Sequence, residues 1–63
     1  MEDYQIRVIK ERDELKEKIE KLDIFYRSNK FDSLDDINQN HLIRQLEYMQ
    51  GYLEILSERI ELF

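Results

Sequence analysis

Three residues carry the chemistry that this sequence could offer a ligand: Tyr4, Lys18 and Arg59. Tyr4 stands at a helix start, where one face of its ring can stay open to stack on a base. Arg59 falls in a run of large apolar residues, where a guanidinium needs an anion beside it. Two anions satisfy that need. One is a carboxylate of a neighbouring subunit, which the residues alone favour; the other is a phosphate, which suits the bidentate guanidinium fork. Lys18 lies beside the apolar stripe of the first helix. No catalytic set accompanies them. Carboxylates abound but alternate with lysines on helix faces, there is no glycine-rich phosphate loop, and no histidine neighbours a nucleophile. His41 is the only histidine and cysteine is absent, so no metal site and no cofactor are expected and the expected activity is not enzymatic. His41 itself reads as a surface polar residue.

The elements that must position these residues are helical. Charged residues make up 40% of the 63, proline is absent and Gly51 is the single glycine, a helix-forming composition. The stretch from Leu42 to Phe63 is the most regular. Leu42, Leu46, Met49, Leu53, Leu56, Ile60 and Phe63 follow one another in steps of four and three, the spacing of a helix laid against a partner. A second series with the same spacing, Gln45, Tyr48, Tyr52, Ile55, Arg59 and Leu62, lies about 100° round the axis. One partner helix covers one seam. The second seam needs another partner, and a chain this short points to other copies of itself.

The sequence therefore predicts an all-α fold: one domain over residues 1–63, an antiparallel two-helix hairpin that assembles into a compact homo-oligomer. The first helix runs over about residues 3–27, the connection over 28–35 and the second helix over about 36–62. The inward stripe of the first helix is Tyr4, Val8, Leu15, Ile19, Leu22 and Tyr26, with Gln5 and Arg12 at core-type positions. Ile6, Ile9 and Ile24 fall off it and are expected to meet a neighbouring subunit. Opposite charges at helical spacing join Arg7 to Glu11, Lys10 to Glu14, Glu14 to Lys18, Lys16 to Glu20 and Glu17 to Lys21. Each is worth only about 0.2–0.5 kcal/mol. In the connection, Phe31 and Leu34 are expected to plug the hairpin end. Ser33 with Asp36 forms a possible capping box, with Asp35 as the alternative N-cap. Antiparallel packing brings Met1 and Tyr4 near Ile60 and Phe63. Gly51 either marks close approach of another helix or is simply tolerated.

Charge and hydropathy narrow the partners. A net charge of −5 opposes binding to DNA or RNA polymer, which needs a broad basic face. It leaves room for a small anion held by a few local cations. No apolar run reaches the length of a membrane span, and the start of the chain lacks the features of a signal peptide.

The run Arg7-Val8, Glu11, Glu14-Leu15, Lys18-Ile19, Lys21-Leu22, Phe25, then Phe31 and Leu34, resembles one small phage family. So does Leu42, Gln45-Leu46, Met49, Tyr52, Leu56, Arg59-Ile60 and Phe63. Over nearly its whole length the chain is similar to the phage anti-CBASS cyclic-nucleotide sponges, whose hairpin is shared with a phage anti-Thoeris sponge. The resemblance implies a homohexamer that sequesters cyclic oligonucleotide second messengers without cleaving them, in the cytoplasm of the infected bacterial host. It implies cyclic dinucleotides held between paired protomers by a stacking tyrosine and a phosphate-binding lysine, for which Tyr4 is the nearest tyrosine and Lys18 the matching lysine. It implies cyclic trinucleotides at a threefold site ringed by Arg59. The alternative, from the residues alone, is a purely structural or protein-binding helical oligomer with no small-molecule ligand.

Overall fold

Helix-forming sequence on either side of a short polar connection gives two long helices folded back on each other. The computed structural model describes residues 1–63. Helix α1 spans Asp3–Tyr26, α2 is a single turn over Asn29–Asp32, and α3 spans Asp36–Glu61. The molecule is a rod, 46 × 15 × 14 Å.

Local side-chain chemistry closes both ends of α1 and the start of α3. At the start of α1 the Gln5 side chain accepts the Glu2 backbone N–H at 2.8 Å, and Asp3 lies in the first turn beside the positive end of the dipole. At the start of α3 the alternative cap is the one that forms. Asp35 Oδ1 accepts the backbone N–H of Asn38 at 2.9 Å and its side-chain amide at 2.7 Å. The Ser33–Asp36 box does not form, because the Ser33 hydroxyl is turned to the Lys30 carbonyl, 2.7 Å away. That bond belongs to the α2 turn, a helical turn inside the expected connection over 28–35. Ser28 Oγ likewise donates to the Phe25 carbonyl at 2.6 Å and ends α1.

The two long helices run antiparallel. Tyr4 meets Phe63 edge-on, with ring centroids 5.7 Å apart, and Tyr52 reaches Glu11 from the same side. Leu56 is fully enclosed, and Val8 and Leu46 are nearly so. Enclosing a leucine side chain contributes about 1.5–3 kcal/mol. Around these three, Leu15, Ile19, Leu22, Leu42, Met49, Leu53 and Ile60 are half-buried. Gln5 and Arg12 are half-buried too, in keeping with their core-type positions. At the closed end, Phe31 and Leu34 are half-buried. Tyr26 packs on Phe31 with centroids 4.7 Å apart, and the Gln39 side chain donates to the Phe31 carbonyl at 3.0 Å.

Three expectations need correction. Tyr4 and Tyr26, at the two ends of the inward stripe expected for α1, are exposed. Ile9 is half-buried rather than turned outward, whereas Ile6 and Ile24 are exposed. Of the five opposite-charge pairs read from the sequence, Glu17–Lys21 alone closes, at 3.5 Å. Arg12–Asp13 and Asp23–Arg27 close instead, at 2.8 and 3.2 Å. Exposed pairs of this kind are worth so little that side-chain entropy decides which ones form.

Candidate functional site

Helical periodicity places the chemistry on one side of the rod. Tyr4, Glu11 and Lys18 are spaced by seven, so they form a ridge along one flank of α1. On α3, Tyr48, Tyr52, Ile55, Arg59 and Leu62 form the second series. The Tyr52 hydroxyl donates to Glu11 Oε2 across the helix boundary. That bond puts the ridge and the second series on the same side of the hairpin, as one continuous face.

The face is largely uncovered within the chain. Tyr48 is 71% exposed, Tyr52 43%, Ile55 54% and Leu62 87%. The first series, by contrast, is buried or half-buried against α1 from Leu42 to Ile60, and Phe63 at its end is exposed. One of the two seams of α3 is therefore filled by its own chain, and the other is a strip of aromatic and aliphatic groups open to a partner.

Tyr4, Lys18 and Arg59 all belong to this face, but they do not form one cluster. At about 1.5 Å of rise per residue, Tyr4 and Lys18 are separated by roughly 21 Å along α1. Arg59 lies near Tyr4, at the end of the hairpin where Tyr4 meets Phe63. The Tyr4 ring is half-exposed and meets Phe63 in a T-shaped arrangement. Lys18 and Arg59 are exposed, and neither has a carboxylate within ion-pair distance.

Sequence reasoning missed the Tyr52–Glu11 contact. Glu11 reads as the partner of Arg7 one turn away, and Tyr52 as a packing residue. The signal was present in the shared spacing of Tyr4, Glu11 and Lys18, and needed only the antiparallel register to become visible. The hydrogen bond to Glu11 pushes the Tyr52 phenol above its ordinary value of 10.0. Loss of hydration and the Glu11 charge act in the same direction, while the positive charge of Arg59 opposes them.

At the closed end, Lys21, Ile24, Phe25, Ser28, Asn29 and Lys30 line an open depression of about 420 Å³. It includes none of the three candidate residues. No group of three histidine, cysteine or acidic side chains is placed to hold a metal, and no helix is long and apolar enough to cross a membrane.

A narrow helical hairpin with cations and a tyrosine along one open apolar face offers a surface for binding. The family comparison points the same way. Residues 2–62 match the family described as Sequestin, and the chain belongs to that family. It is also 40% identical over 60 residues to a protein of Enterobacteria phage T4, described as an uncharacterized 7.5 kDa protein in the denB-rIIB intergenic region. The match covers 95% of this chain and 94% of the relative. No solved structure matches. The resemblance to a phage sponge family is borne out at this level: the family name denotes sequestering, a binding role, and the relative is a phage protein.

Proposed function

We propose that the protein assembles into a homo-oligomer, a hexamer by its resemblance, and sequesters cyclic oligonucleotide second messengers without cleaving them. In the cytoplasm of an infected bacterium this lowers the free messenger and blunts CBASS-type defence. The observation that carries the proposal is the shared face. Tyr4, Lys18 and Arg59 adjoin an uncovered apolar seam, and both cations are free of carboxylates. A tyrosine ring supplies stacking and the cations supply phosphate contacts, the two needs of a nucleotide. The separation of Tyr4 from Lys18 along α1 favours a ligand shared between protomers over one held by a single chain.

Calorimetry against cyclic di- and trinucleotides of different base and linkage is the direct test. Binding should also raise apparent thermal stability, since the ligand engages only the folded state. Arg59→Ala separates phosphate binding from packing. Each lost charge-assisted contact costs about 1.5–3 kcal/mol, and symmetry multiplies it around one cyclic trinucleotide. Trinucleotide binding should vanish, the oligomer should persist, and any dinucleotide binding through Tyr4 and Lys18 should largely survive. An Arg59→Ala protein that dissociates would favour the intersubunit ion pair. One that binds trinucleotides like the parent would remove the phosphate role. Absence of binding to every cyclic nucleotide would leave the purely structural oligomer.

A further inference from the structure

Glu11 is an awkward neighbour for an anion. It stands midway between Tyr4 and Lys18 on the α1 ridge, and its ridge shares a face with Arg59. Side chains on a helix lean toward the helix N-terminus. Because α1 and α3 run antiparallel, Glu11 and Arg59 lean toward each other. Arg7, one turn back on α1, is a second cation within reach. Yet Glu11 forms an ion pair with neither. Its Oε2 accepts the Tyr52 hydroxyl instead. Arg59 follows Tyr52 by two turns on the same face of α3, and the charges of Glu11 and Arg59 act on the Tyr52 phenol in opposite directions.

We propose that Tyr52 is a positioning residue for Arg59: by donating its hydroxyl to Glu11, it holds that carboxylate off the guanidinium and keeps Arg59 available to an anion. The inference rests on the phosphate role proposed for Arg59 and adds the device that preserves it. A phenol suits the task. It satisfies the carboxylate with a charge-assisted hydrogen bond, roughly twice as strong as a neutral one, and consumes no cation. Phenylalanine would fill the same space and leave Glu11 free to swing.

The test uses inorganic pyrophosphate as the anion and follows the Arg59 Nε–Hε signal by NMR. Tyr52→Phe should weaken pyrophosphate binding at Arg59 by about two- to fivefold, the range of a competing exposed ion pair. Glu11→Gln should bind at least as tightly as the parent, because its amide oxygen still accepts from Tyr52 and its charge is gone. In the Tyr52→Phe/Glu11→Gln double variant, affinity should return to that of Glu11→Gln. Tyr52→Leu also removes the hydroxyl, keeps an apolar side chain of high helix propensity and leaves Glu11 intact, and should weaken binding as Tyr52→Phe does. This second variant serves if Tyr52→Phe loses helicity by circular dichroism. The proposal is overturned by an unchanged Tyr52→Phe, by a double variant as weak as Tyr52→Phe, or by an Arg59 signal that ignores pyrophosphate in every variant. Calorimetry with cyclic trinucleotides separates the two levels. The pyrophosphate pattern without any cyclic-nucleotide binding would remove the sponge reading and leave the role of Tyr52 standing.

Discussion

Asp35 shows how one carboxylate can fix the start of a helix and tie it to pH. The Asn38 backbone N–H, and after it the Asn38 side chain, hold the Asp35 carboxyl below its ordinary value of 3.8. A folded-state value below the unfolded one means that the ionised cap favours the fold. That contribution is complete above the ordinary carboxylate range and is lost as pH falls through the lowered value. Asp35→Asn keeps a neutral acceptor at the N-cap. Its urea midpoint should match the parent near neutral pH and fall less steeply in acid. An identical acid slope in the two proteins would remove Asp35 from the acid response. The choice of Asp35 over Ser33 was open in the sequence, since either residue type caps a helix. The one-turn α2 decided it by drawing the Ser33 hydroxyl to the Lys30 carbonyl. The Glu11 contact was hidden for a similar reason. Its partner is 41 positions away in the chain, beyond any local rule.

At the scale of the element, α3 was the most legible part of the chain. Its 4-3 series from Leu42 to Phe63 supplies Leu46 and Leu56 to the core, with Leu42, Met49, Leu53 and Ile60 around them. Periodicity reports which residues share a face, and burial follows once a partner is present. The first helix was less legible because its stripe is broken by Gln5 and Arg12, so the flanking Ile9 reads as outside although it is half-buried. Gly51 illustrates the limit in another way. The two readings of a mid-helix glycine, close approach or toleration, cannot be separated by spacing. Within the chain, a Cβ at Gly51 would meet nothing within 4 Å, and the backbone is helical. Gly51→Ala should therefore stabilise the protein by about 0.5–1 kcal/mol, the cost of glycine in a helix interior. Urea unfolding at fixed protein concentration reads this directly. A loss of stability would place another subunit against Gly51.

At the scale of the whole molecule, a single hairpin is short of core. Three of its 63 residues are buried; Tyr48, Ile55 and Leu62 of the second seam are exposed, as are Ile6 and Ile24 on α1. A chain of this size without disulfides or metal is marginal alone, and oligomerisation is the remaining support. The open seam is the surface proposed to join copies, and its uncovered apolar groups were legible in the sequence because both series share one spacing. What the sequence could not display is the geometry of the joined state, which depends on how several such faces meet. Ile55 is the position to probe. It lies between Tyr52 and Arg59 on the open face and is 54% exposed within the chain, so aspartate there is tolerated by a lone hairpin. In an assembled seam the same aspartate would be a buried charge without a partner, which is strongly unfavourable. Light scattering of the parent should return a multiple of 7.9 kDa. Ile55→Asp should shift the mass toward that of one chain, and its helicity should fall on dilution, since the lone hairpin keeps too little core. A parent that runs as a single chain at micromolar concentration, or an Ile55→Asp protein of unchanged mass, would show that this face is not where the copies meet.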